Sequence, residues 1–171
     1  MRKIDTYYMN GKLGWQHVHD ANGSVYFSYF PPFSYSRHLT LISRCATNLE
    51  LNPNVTGTVG TLGQTLEGRE LDYITVGTGK LVCWIIHRQH PGESMAEHYA
   101  EGLLIRLLGL EKDGEVDDLV IKLLKSFTFY IVPCMCPDGV VKGHLRTNAC
   151  GANLNREWTS VSNYEAPTLE R

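Results

Sequence analysis

The pattern of apolar and polar positions changes near residue 70. Beyond it, Leu71 to Val76 alternates apolar residues with others, as a half-buried strand does. Leu81-Val82-Cys83-Trp84-Ile85-Ile86 is an unbroken apolar run, which predicts a strand covered on both faces. Gly77-Thr78-Gly79-Lys80 between them reads as a turn. From Ser94 to Leu110 apolar residues recur at helical spacing. Met95, Tyr99, Leu103 and Leu107 form one stripe, with Ala96, Ala100, Leu104 and Leu108 beside it. Glu97, Glu101 and Arg106 fall off that stripe, and Gly109 weakens the helix end. Asp113-Gly114 marks a turn. Val116 to Lys125 predicts a shorter helix whose acidic start and basic end suit the helix dipole. Phe127 to Val132 predicts another buried strand, closed by Pro133. This order of elements predicts an α/β domain with helices on the sheet faces.

Before residue 70 the texture differs. Residues 1–45 read as part of a β-rich domain. Ser24 to Phe30 is dense in aromatic and β-branched residues and predicts a strand that Pro31-Pro32 ends. Ser34 to Ser43 suits a short helix at the junction. Residues 46 to 70 carry Asn, Pro, Gly and Thr and read as a connector. The expected division is therefore a β-rich portion over 1–45 and an α/β portion over 46–171.

Composition narrows the function. The chain has 171 residues, 43% hydrophobic and 20% charged, with a formal net charge of -2. That balance suits a globular protein and argues against a nucleic-acid partner, which needs clustered basic residues. No apolar run is long enough to cross a bilayer, so no membrane partner is expected. No apolar segment of a secretory signal follows the basic start, and the five cysteines are an odd number. Both features point to reduced thiols and a cytoplasmic protein. Cys134-Met135-Cys136 lacks the second pair that a zinc ribbon requires, so these thiols read as structural.

Candidate chemistry follows the strand Leu81–Ile86, which runs into His87-Arg88-Gln89-His90-Pro91-Gly92-Glu93. Ligands of open α/β sheets bind at the carboxyl ends of strands. His90 and Glu93 lie across a turn there, and an imidazole with a carboxylate suits zinc. His98 and Glu101 share the spacing but lie within the predicted helix, where a solvated or half-buried face is the simpler reading. After the strand Phe127–Val132, the turn-rich loop Pro133 to Gly139 leads to His144-Leu145-Arg146-Thr147-Asn148 and Asn153-Leu154-Asn155-Arg156. Arginine grips carboxylates through a planar fork, and asparagine adds a donor.

Leu66-Glu67-Gly68-Arg69-Glu70, His90-Pro91-Gly92-Glu93, Pro137-Asp138-Gly139 and Asn153-Leu154-Asn155-Arg156-Glu157-Trp158, in this order, resemble the first half of a zinc metallocarboxypeptidase. The His-Pro-Gly-Glu form and the upstream Tyr29-Phe30-Pro31-Pro32-Phe33-Ser34-Tyr35-Ser36 resemble the cytosolic carboxypeptidase branch. The resemblance implies a mixed central sheet flanked by helices, and it implies that His90 and Glu93 bind zinc. It implies that Arg146 stabilises the oxyanion of the scissile carbonyl, and that Asn155 and Arg156 hold the terminal carboxylate of a peptide or protein substrate.

The same resemblance implies a third zinc ligand, a histidine, and a glutamate base further along. No residue up to Arg171 matches either, so the chain is expected to be the zinc-binding half of a larger enzyme. By itself it is expected to be inactive. Two other readings share these residues. One is an amidohydrolase of the aspartoacylase or succinylglutamate desuccinylase type. The other is a non-catalytic interaction protein that keeps the fold.

Overall fold

The computed structural model describes residues 4–111 and 115–158. The expected Asp113-Gly114 turn lies outside them. Two compact units divide at Pro32/Phe33. In the first, β1 (Thr6–Met9) and β2 (Lys12–Trp15) form an antiparallel hairpin. Its turn is Asn10-Gly11, both residues left-handed, as the tightest hairpin turns require. Ser24 to Phe30 forms no strand. Its β propensity finds no partner strand among the described residues, and a ladder needs two.

The second unit opens with α1 (Tyr35–Leu51), capped by the Ser34 hydroxyl on the Arg37 amide. The helix is much longer than the expected Ser34–Ser43 segment. The division expected at residue 45 falls inside it, where Cys45 is buried in the core of the second unit. Leu41, Cys45 and Leu49 repeat every four residues and carry the helix past that point.

Then come β3 (Gly57–Gln64), β4 (Glu70–Val76), β5 (Leu81–Ile86), α2 (Ser94–Leu108), α3 (Asp118–Ser126), β6 (Phe127–Val132) and α4 (Pro137–Lys142). The sheet has the order β3-β4-β6-β5. β3 pairs antiparallel with β4, β4 antiparallel with β6, and β5 parallel with β6, so the sheet is mixed. β3 was expected as connector, because its glycines and threonines give little apolar alternation. Its register comes from β4, where Thr58 faces Thr75 and Val59 faces Ile74. α4 likewise replaces part of an expected loop, with Pro137 in its first turn.

Ile74, Val76 and Ile131 share one sheet face and join Leu41, Leu104, Leu108, Val120 and Leu124 of the helices in one core. Alternation puts Tyr73, Tyr130 and Trp84 on the other face, where their rings stack in a row, Trp84 on Tyr130 at 4.6 Å. β5 is a strand at the sheet's end, not one covered on both faces as its apolar run predicts. Leu81, Val82, Trp84 and Ile86 are exposed, and among the described residues β6 alone pairs with it.

α2 also turns differently from its apolar stripe. Its buried residues are Ser94, Glu97, Ala100, Leu104, Leu107 and Leu108, while Tyr99 is exposed. The helix rotates to bury a carboxylate that buried partners can satisfy.

Candidate active site

β5 delivers the chain at its carboxyl end into the turn His90–Glu93, where the Glu93 amide bonds the His90 carbonyl. Glu93 stands at the N-cap position of α2. His90 is buried, whereas the Glu93 side chain is 45% exposed. The structure brings their polar atoms together, with His90 Nδ1 3.0 Å from Glu93 Oε1.

The other imidazole nitrogen settles what this contact can do. His90 Nε2 lies 3.1 Å from Asn153 Oδ1, which also accepts from the Asn155 amide at 3.1 Å. The Asn155 N–H therefore fixes the oxygen end of the Asn153 amide at this point. An amide oxygen only accepts, so a neutral His90 carries its proton on Nε2. Nδ1 then presents a lone pair to a carboxylate oxygen, and two acceptors at 3.0 Å need a proton or a cation between them. A neutral imidazole backed by a hydrogen-bonded amide, beside a solvent-reachable carboxylate, is a donor set that suits zinc.

The arginine loop packs against the same turn. The Gly92 amide donates to the Leu145 carbonyl at 2.9 Å, one residue before Arg146. A Cβ on Gly92 would come within 2.8 Å of that carbonyl and of a Leu145 methyl, so only glycine allows the approach. A Cβ on Gly139 would likewise strike Pro91 Cγ at 2.3 Å and the Thr147 carbonyl at 2.7 Å. Trp158 Nε1 donates to Gln89 Oε1, in the residue before His90, at 3.0 Å. Arg146, Asn155 and Arg156 are exposed, Asn155 and Arg156 on a 3-10 turn spanning Leu154–Arg156. Thus one neighbourhood holds the His90–Glu93 turn, the backbone that carries Arg146, and the Asn153 turn that leads into Asn155 and Arg156.

Buried polar residues stiffen these loops, and the sequence reading missed most of them. Asn148 Oδ1 accepts from the Cys150 and Ala152 amides, and its own amide bonds the Ala152 carbonyl. His144 Nδ1 reaches the Thr147 and Asn148 carbonyls at 3.2 and 3.1 Å and folds the chain around Arg146. Asp138 is fully buried. It accepts from Thr65 Oγ1 and Arg69 at 2.7 Å and from the Glu67 amide at 3.1 Å. That contact explains why Glu-Gly-Arg and Pro-Asp-Gly occur together: they are the two halves of one junction between the β3–β4 turn and α4. Asn153 had a usable signal, since it stands two residues before Asn155 in a turn of asparagines. Glu97 had none, because a glutamate off an apolar stripe reads as solvated.

The second His-x-x-Glu pair behaves differently. Glu101 pairs with Arg37 at 2.6 Å and stands 3.9 Å from His98 Nδ1, while the His98 ring packs edge-on to Phe33. None of the five cysteines forms a disulfide among the described residues, and Cys134 and Cys136 are buried. Burial pushes the Cys134 thiol well above its usual range. Among the described residues no helix is long and apolar enough to cross a membrane.

Comparison with known proteins bears on the same region. A family profile described as zinc carboxypeptidase matches residues 43–170. An uncharacterised protein of Zymomonas mobilis is 43% identical over 98% of this chain, which covers 39% of that protein. Cytosolic carboxypeptidase 6 of Caenorhabditis elegans is 28% identical over 92% of this chain, covering 34% of its length. The crystal structure of a metallo-carboxypeptidase from Burkholderia cenocepacia superimposes with a TM-score of 0.72 at 42% identity. That match spans 92% of this chain and 41% of the other. The chain therefore spans about two fifths or less of the length of these relatives.

Proposed function

Because this chain belongs to the zinc carboxypeptidase family, we propose that it is the zinc-binding half of an enzyme that removes C-terminal amino acids from peptides or proteins. The observation that carries this reading is the His90–Glu93 pair. His90 Nδ1 lies 3.0 Å from Glu93 Oε1, and its Nε2 lies 3.1 Å from Asn153 Oδ1, so the ring is held from both sides. In this proposal His90 and Glu93 hold the metal. Zinc bound there would polarise the scissile carbonyl and lower the pKa of a water molecule.

The protein's own groups do the rest. Arg146, presented by the loop bonded to Gly92, meets the charge that develops on the carbonyl oxygen. Asn155 and Arg156 hold the substrate's terminal carboxylate, Arg156 by a charged fork and Asn155 by a neutral donor. Such a pair selects a free C-terminus over an internal peptide bond. A histidine ligand and a glutamate base, which the family pattern requires and no residue of these 171 matches, are assigned to the rest of a longer protein. The resemblance to cytosolic carboxypeptidases supports a cytoplasmic site of action.

Metal content and hydrolysis test this together. The whole protein should contain about one zinc per chain and release C-terminal residues from a peptide panel. His90→Ala should remove both properties, and Arg156→Ala should raise KM for free C-termini. Absence of zinc would sink the reading. So would hydrolysis confined to N-acetyl-aspartate and N-succinyl-glutamate, which marks an amidohydrolase instead. Residues 1–171 alone should show no turnover, and measurable cleavage by them counts against the proposed division.

A further inference from the structure

We propose that Arg88, seated on Glu97, is a positioning residue that sets the placement of His90 and Glu93; this rests on the zinc reading of that pair. Arg88 has a φ of +47°, in the left-handed region. Its Cβ makes that conformation unfavourable. Asn10 is the other non-glycine residue found there among the described residues, and its Asn-Gly turn explains it. No such turn explains Arg88, which precedes Gln89 and His90 at the exit of β5.

The side chain offsets the strain. Arg88 is 6% exposed, and its donors reach three acceptors. Nε bonds the Pro91 carbonyl at 2.9 Å, while Nη1 bonds the Phe33 carbonyl at 2.7 Å and Glu97 Oε2 at 2.6 Å. Pro91 sits between His90 and Gly92, so the guanidinium holds the middle of the ligand turn from below. Glu97 is 0% exposed, and its second oxygen takes His38 Nδ1 at 2.6 Å. His38 Nε2 meets Asp72 Oδ2 at 3.1 Å. The line Asp72–His38–Glu97–Arg88–Pro91 therefore ties β4, α1 and α2 to one carbonyl of the turn.

Stability alone is a poor reason for such an arrangement. A well-packed apolar set of similar volume often does as well as a buried ion pair. What an apolar set cannot do is bond a particular carbonyl and hold a left-handed residue beside it. None of Arg88, Glu97, His38 and Asp72 bonds the side chain of His90 or Glu93. Their action on the pair is through the backbone of the turn.

Arg88→Lys and Glu97→Gln test this by two readouts. Without metal, hydrogen exchange at the Gly92 and Glu93 amides should speed up about tenfold relative to the β6 amides. Zinc affinity, measured by competition with a chromophoric chelator, should fall about 10- to 100-fold. Unchanged exchange at Gly92 and Glu93 overturns the proposal. So does a uniform rise at every amide, which marks a merely structural pair. Should Arg88→Lys fail to fold, Glu97→Gln keeps the volume and an oxygen acceptor and carries the same comparison. A parent protein that takes up no zinc defeats the zinc reading, while the exchange readout still decides whether Arg88 holds the turn.

Discussion

His90 uses both ring nitrogens, and each use constrains the other. Nε2 meets the Asn153 amide oxygen, and Nδ1 faces Glu93. Gly92, between the two candidate ligands, is fixed by a different demand, the closeness of the Leu145 carbonyl. Gly92→Ala should push the Arg146 loop away and destabilise the protein by about 1–3 kcal/mol, as overpacking does. Denaturant unfolding checks the size, and loss of zinc affinity out of proportion to stability checks that the loop moved. A variant with parental stability and affinity would show that the loop yields without cost. His90, Glu93, Arg146, Asn155 and Arg156 were all legible as residue types in order. Asn148, His144 and Glu97 were not, because a buried polar group is identified by its partners and not by its neighbours in sequence.

Elements come together at His38, where α1, α2 and β4 meet. Burial pulls the His38 pKa down, but its bonds to Asp72 and Glu97 outweigh burial and raise it to about 9. Unfolded, the same imidazole titrates near 6.5. Its contribution to stability is therefore complete below about pH 6.5 and is lost as pH rises through about 9. The unfolding free energy of the parent should fall across that window, and that of His38→Gln should fall less steeply. Equal slopes would mean that His38 is not held charged. The strands β5 and β6 were legible to the residue, and β4 nearly so, because local apolar density marks them. β3 and the second half of α1 were not, because a glycine- and threonine-rich strand gets its register from a neighbour, and a helix can run through a stretch that composition marks as connector.

Across the whole molecule, the helices cover one face of the sheet, while Trp84, Tyr130 and Tyr73 line the other. Trp84 is 55% exposed, and Val82 and Ile86 on the same face are also open. An apolar surface of this kind should bind a hydrophobic dye, and Trp84→Lys with Ile86→Lys should cut the fluorescence several-fold with little change in unfolding midpoint. Undiminished dye binding would place the apolar surface elsewhere. By itself the sequence determined the α/β class, the strand-end position of His90-Pro91-Gly92-Glu93, and the order of the residues that follow. Those features rest on local apolar periodicity and on motifs, which are written along the chain. Tertiary structure alone decided that β5 lies open at one end of the sheet, and that Glu97 is buried on Arg88 and His38. It also decided that Asn153 stands behind His90 and that Asp138 joins α4 to Arg69. The last three depend on groups 9 to 69 residues apart in sequence meeting in space, and no local pattern encodes such a meeting.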